Sequence, residues 1–108
     1  MTALNKQALR EVANAANIAS WGKWESYKPH KGARGYEVKV GAKAVAQHCL
    51  KVDSAFIAAA NPPTVLALLD ELEAKDATIA FQQHEIRTLL GRLENANRAA
   101  AAGKGATS

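Results

Sequence analysis

An alternating four-and-three spacing of apolar residues constrains this chain more than any other feature. It runs through Val65, Leu69, Leu72, Ile79, Ile86, Leu90 and Leu93, with Asp76, Gln83 and Asn97 in the same register. Such spacing is a heptad seam: Val65, Leu72, Ile79, Ile86 and Leu93 take d, while Leu69, Asp76, Gln83, Leu90 and Asn97 take a. Residues 61–98 therefore read as one long helix. Asn61 supplies an N-cap, and Pro62 suits the first helical position, where its missing N–H costs nothing. At about 1.5 Å per residue the helix is on the order of 50 Å long, more than the remainder of so short a chain can cover. The seam residues Val65, Leu69, Leu72, Ile79, Ile86, Leu90 and Leu93 are thus expected to pair with further copies, as a dimer or as a tetramer of parallel or antiparallel pairs. Isoleucine at d weighs against a simple parallel dimer. Asp76 and Gln83 at a lower the stability of a dry seam, and a buried polar residue there can also fix register and strand number. Leu66 and Leu68 broaden the apolar face of the opening turns, so an intramolecular contact is expected there as well.

A chain of 108 residues allows one small domain and an extension. Of its 48% hydrophobic residues many are alanine, and only 6% of the chain is aromatic, so a large self-contained core is not expected. The single cysteine, Cys49, excludes an intrachain disulfide and fits a reducing compartment. No apolar run approaches the roughly 20 residues of a membrane span. The expectation is a protein of the cytoplasm, away from membranes. Charge is unevenly placed: residues 21–52 hold Lys23, Lys28, Lys31, Arg34, Lys39, Lys43 and Lys51 against Glu25 and Glu37, whereas residues 53–98 are net acidic.

Along the chain, Thr2 is positioned to cap a first helix with the stripe Leu4, Ala8, Val12 and Ala15 or Ala16, widened by Leu9 and ending near Asn17. From Trp21 the helical period stops. Tyr36 to Val40 alternates as a half-buried strand does, and the connection Pro29 to Gly35, with its glycines and proline, predicts a hairpin with a long loop. Two short strands are marginal alone, so the hairpin should lie on a helix with Trp21 and Trp24 as packing anchors. Ala44, Val45 and Ala46 suit either a strand extension or a helix start. Asp53 to Ala60 reads as a short helix with Phe56 and Ile57 inward, broken from the next by Asn-Pro-Pro. The tail from Ala99, without a large apolar residue and with two glycines, is expected to be disordered. The fold class is α+β: N-terminal helix, short antiparallel hairpin and short helix over residues 1–60, the long oligomerising helix over 61–98, and a tail over 99–108.

The segment DSAFIAAANPPTVLALLDELE, Asp53 to Glu73, resembles the Ead-like accessory proteins of lambdoid bacteriophages and prophages. They are similar in pairing an N-terminal helix like Thr2 to Arg10 with a tryptophan-containing middle, a motif like Phe56 to Pro62, and a coiled coil. The resemblance covers both ends of the chain and leaves Ser26 to Lys51 unmatched. It implies a phage origin and carries over no catalytic residue.

Trp24, Tyr27, Lys28, His30, Lys31 and Arg34 form the second candidate site, since cations on a loop beside aromatic rings can neutralise phosphates and stack on bases, or attract an acidic protein. No helix-turn-helix, RNP or zinc module accompanies them. His30, His48, Cys49 and His84 show no zinc-site spacing, and no Gly-rich phosphate cradle is present. No catalytic, cofactor or metal residue is assigned. The expected function is that of a non-enzymatic, oligomeric phage accessory protein that binds a host or phage macromolecule and inhibits a host process such as antiviral defence. A DNA- or RNA-binding accessory role for the basic hairpin is the alternative.

Overall fold

A computed structural model describes residues 4–32 and 34–106, with the element order α1 (Lys6–Ala19), β1 (Trp24–Tyr27), β2 (Tyr36–Val40), β3 (Lys43–Cys49), α2 (Lys51–Ala59) and α3 (Pro62–Ala106). Thr2 lies outside the described residues, and the cap of α1 is Asn5, whose Oδ1 accepts from the Ala8 N–H at 2.9 Å. At the other end α1 runs on to Ala19. There Lys43 Nζ donates to the Ala19 carbonyl at 3.2 Å and to Ser20 Oγ at 3.0 Å, while Trp24 Nε1 donates to the Ser20 carbonyl at 2.9 Å. A lysine on the last carbonyls of a helix suits the negative end of its dipole.

The three strands form an antiparallel meander in the order β1-β2-β3. Trp24 faces Val40 and Ser26 faces Val38 across the first pair, and the second pair is interrupted by irregularities on either side of Val38. One of these lies near His48, which takes a φ of 60°. The predicted hairpin is therefore two strands of three. Ala44, Val45 and Ala46 belong to β3, because the turn at Gly41, at φ 60°, returns the chain alongside β2.

Helix α2 covers one face of this sheet, touching all three strands. Val38, on the central strand, is fully buried, and Ser54 of α2 is buried with it. Ser54 Oγ donates to the Lys51 carbonyl at 2.9 Å, so its one proton is used. The 2.6 Å contact between the two hydroxyls then has Ser26 as its donor. The inward residues of α2 are Ser54 and Ala58, one turn apart, with Ile57 half-buried beside them. Phe56, expected inward, is 71% exposed. The small side chains let the helix approach the sheet closely, and that choice turns Phe56 to the opposite side.

A second small core joins α1 to the opening turns of α3. Ala13, Pro62 and Leu69 are buried, and Leu9, Ala16, Trp24 and Val65 are half-buried. Arg10 Nη1 reaches Asp70 Oδ1 at 2.8 Å. The face of α1 that packs is thus Leu9, Ala13 and Ala16, while Leu4 and Val12 of the expected stripe are exposed. Trp21, expected as an anchor, is 79% exposed, and Trp24 alone packs. The corner at residues 60–62 is fastened by Asn61, whose Oδ1 accepts from the Thr64 N–H at 3.0 Å and whose Nδ2 donates to the Ala58 carbonyl at 2.9 Å.

The chain divides into two compact units, Met1–Glu71 and Leu72–Ser108, so the boundary falls inside α3 rather than at Asn61. In the second unit the helix continues to Ala106. The expected disorder from Ala99 is corrected as far as Ala106, where four consecutive alanines, the strongest helix formers, carry the helix on, and Thr107 and Ser108 lie outside the described residues.

Candidate interaction surfaces

The seam and the basic hairpin are the two surfaces singled out by sequence. Among the seam residues, Leu69 is only 6% exposed and Val65 is half-buried against α1, so both serve their own chain. The assignment of these two to pairing between copies is corrected accordingly: the broad apolar face at the start of α3 is used within the first unit. From Leu72 onward the situation reverses. Leu72, Ile79, Ile86, Leu90 and Leu93 range from 39 to 59% exposed. Helical geometry places these five on one face, with Asp76 and Gln83 filling the a positions between them. Leu89 adjoins that face, whereas Phe81, also exposed, stands at the outward f position.

Side-chain bonds within one turn support the helix of the second unit. Thr78 and Thr88 hydroxyls donate to carbonyls one turn back at 3.1 and 3.0 Å, and Arg98 bonds Glu94 at 2.7 Å. Such local pairs contribute a few tenths of a kcal/mol each.

The six hairpin residues do not come together as one patch. Alternation along β1 turns Trp24 and Ser26 toward the α2 side and Glu25 and Tyr27 to the open face. Trp24 is tied to Ser20 and half-buried, which removes it from any stacking role. On the open face Lys39 Nζ lies 4.5 Å from the centroid of the Tyr27 ring, and Lys23 pairs with Glu25 at 3.7 Å. Lys28 Nζ is over the ring of Tyr36, 5.2 Å from its centroid. Both are cation–π arrangements. His30 and Lys31 are exposed at the loop, where His30 Nδ1 contacts the Lys31 carbonyl at 3.1 Å. Arg34 belongs to the far end of the loop, where its carbonyl approaches His48 Nδ1 at 3.4 Å. With Gly35, His48, Cys49 and Leu50 it lines an open hollow of about 550 Å³. Sequence reading missed Lys39 and Tyr36, whose side-chain directions depend on the strand register. It also missed the hollow, which needs β3.

Among the described residues no three His, Cys, Asp or Glu side chains gather as metal ligands. No single described helix is long and apolar enough to cross a membrane, and only α2 and α3 taken together across their break meet that test by length and composition.

Comparison with known proteins adds one finding. A family model described as Ead/Ea22-like protein matches residues 2–105, including the middle of the chain that the resemblance in sequence left unmatched. No curated protein and no solved structure matches.

Proposed function

The chain belongs to the Ead/Ea22-like protein family, which is phage-associated, and from that premise we propose that it is a non-enzymatic phage accessory protein of the bacterial cytoplasm that self-associates through the second unit. In this reading the assembled helices carry several copies of the α+β unit, which binds a host or phage macromolecule. Repetition turns weak individual contacts into useful avidity. Inhibition of a host process, antiviral defence among them, is the role this arrangement would serve.

One observation carries the reading: the half-exposed row Leu72, Ile79, Ile86, Leu90 and Leu93 at heptad spacing. Most helical stability in proteins comes from packing of an apolar face, so a helix with such a row gains stability when the row is covered. Sedimentation velocity at micromolar concentration tests the assembly, with a multimer expected and a monomer refuting it. A pull-down from bacterial lysate tests the partner, and recovery of nothing beyond the protein itself would undercut the presentation role.

A second reading assigns the chain to nucleic-acid binding. It is favoured by the open sheet face, where Tyr27 stands 43% exposed next to Lys39. Exposed rings flanked by cations stack bases and neutralise phosphates, and the affinity falls steeply with salt. A low-salt mobility shift that disappears in the Tyr27 and Lys39 double-alanine variant supports this reading, and no shift at any salt removes it.

A further inference from the structure

Building on the self-association proposed above, we infer that the helices of the second unit pair antiparallel with a second copy of this chain, in the register centred on Phe81. The polar residues of the seam decide between orientations. With Leu72 and Ile79 at d, the flanking e positions are Glu73, Ala80, Arg87 and Glu94, and the g positions are Lys75, Gln82 and Leu89.

In a parallel, in-register pair each a residue meets its own copy. Asp76 would then face Asp76, two carboxylates at one desolvated layer, and Gln83 would face Gln83. The e and g positions give no compensation: Arg87 meets Gln82, Glu94 meets Leu89 and Ala80 meets Lys75. No opposite charges meet across the e and g edges of that seam.

In the antiparallel pair a residues meet d residues and e edges meet e edges. Centred on Phe81, Leu72 meets the second copy's Leu90, Ile79 meets Gln83, and Asp76 meets Ile86 in a hole whose edge is the second copy's Arg87. Glu73 meets that same arginine along the e edge. Glu73 and Asp76 lie three residues apart on one helical face, so the two carboxylates flank one guanidinium, and symmetry repeats the cluster. Gln83 falls within reach of the second copy's Asp76 and Gln83. Sliding by a heptad in either direction loses this, because Glu73 then meets Ala80 or Glu94. Charge complementarity thus favours this orientation, and this register over its neighbours, through Glu73, Asp76 and Arg87, which are interspersed among the exposed row.

The test uses the full chain with Cys49→Ser, labelled with a nitroxide at Asn95→Cys or at His84→Cys, and measures distances between copies by pulsed electron resonance. At about 1.5 Å of rise per residue, the antiparallel register separates the Asn95 labels by more than about 40 Å and keeps the His84 labels under about 30 Å. Both distances short, in a chain that still sediments as a multimer, overturns the orientation and leaves self-association standing. A monomer overturns both. Arg87→Glu is expected to raise the dissociation constant about tenfold, while Arg92→Glu, at the outward c position, leaves it within about twofold. Equal effects of the two reversals would also overturn the inference.

Discussion

Replacing Ile79 and Ile86 together by alanine separates covering of the row from stability of the helix. In a single chain the two side chains are 52 and 55% exposed, so about half of each remains to be removed from water. Shortening isoleucine to alanine deletes three carbons, worth about 0.8 kcal/mol each on full burial, hence about 1 kcal/mol per position for the exposed half. A pair of chains buries four such positions, so association should weaken by about 4 kcal/mol, on the order of a thousandfold in dissociation constant. Alanine is the better helix former, so the loss cannot be charged to intrinsic propensity. Sedimentation velocity across a micromolar concentration series reads the effect, and far-ultraviolet circular dichroism reports the helix that melts once uncovered. Phe81→Ala is the matched control. Its ring is 64% exposed but faces away from the row, and its effect on association should stay within about twofold. A double variant that sediments with undiminished mass, or a control that dissociates as strongly, would refute the reasoning.

The remaining predictions concern the first unit. Val38→Ala removes two methyls from a fully buried site beneath α2 and should cost about 2–3 kcal/mol in chemical denaturation, transfer and cavity terms together. A cost below about 0.5 kcal/mol would mean that the sheet and α2 do not form this core. Gly35→Ala should be worse than a surface Gly→Ala change: φ is 75°, and the added Cβ would lie 2.9 Å from the Cys49 carbonyl oxygen, a backbone atom that cannot swing aside. We expect about 2 kcal/mol or more in denaturation, whereas Gly91→Ala within α3, where nothing lies within reach of the added Cβ, should cost nothing and stabilise the helix by up to about 1 kcal/mol. Asn61→Ala forfeits the bonds to Thr64 and Ala58 and should cost about 1–2 kcal/mol, and Asn61→Asp, which keeps only the acceptor, should fall between alanine and the parent chain.

Elements whose signals are local were legible in the sequence. Tyr36–Val40 was readable from alternation, the Pro29–Gly35 connection from its turn residues, and the abrupt start of α3 from Asn61 and Pro62, because each depends only on neighbouring φ and ψ preferences. The choice of face was not legible wherever small residues offered two options. Leu4, Ala8 and Val12 make as good a stripe on α1 as Leu9, Ala13 and Ala16, and only the presence of Pro62, Val65 and Leu69 selects the second. The same holds for α2, where Ser54 and Ala58 displaced Phe56 because close approach to Val38 outweighed the larger apolar group. Strand β3 was ambiguous because Ala44, Val45 and Ala46 have no period of their own. Of the two surfaces, the heptad row was visible from Leu72 onward, but its first members had a second use inside the chain. The hairpin cluster dissolved once strand alternation sent Trp24 and Tyr27 to opposite sides.

Leu69 and the Arg10–Asp70 pair tie the opening turns of α3 to α1. Anyone trimming this protein to its N-terminal half at the Asn-Pro-Pro corner would therefore cut away part of the interior of the piece being kept. A shortened version should retain at least Glu71, and a protease that respects the native packing should leave residues 62–71 attached to α1 whatever becomes of the rest of the rod.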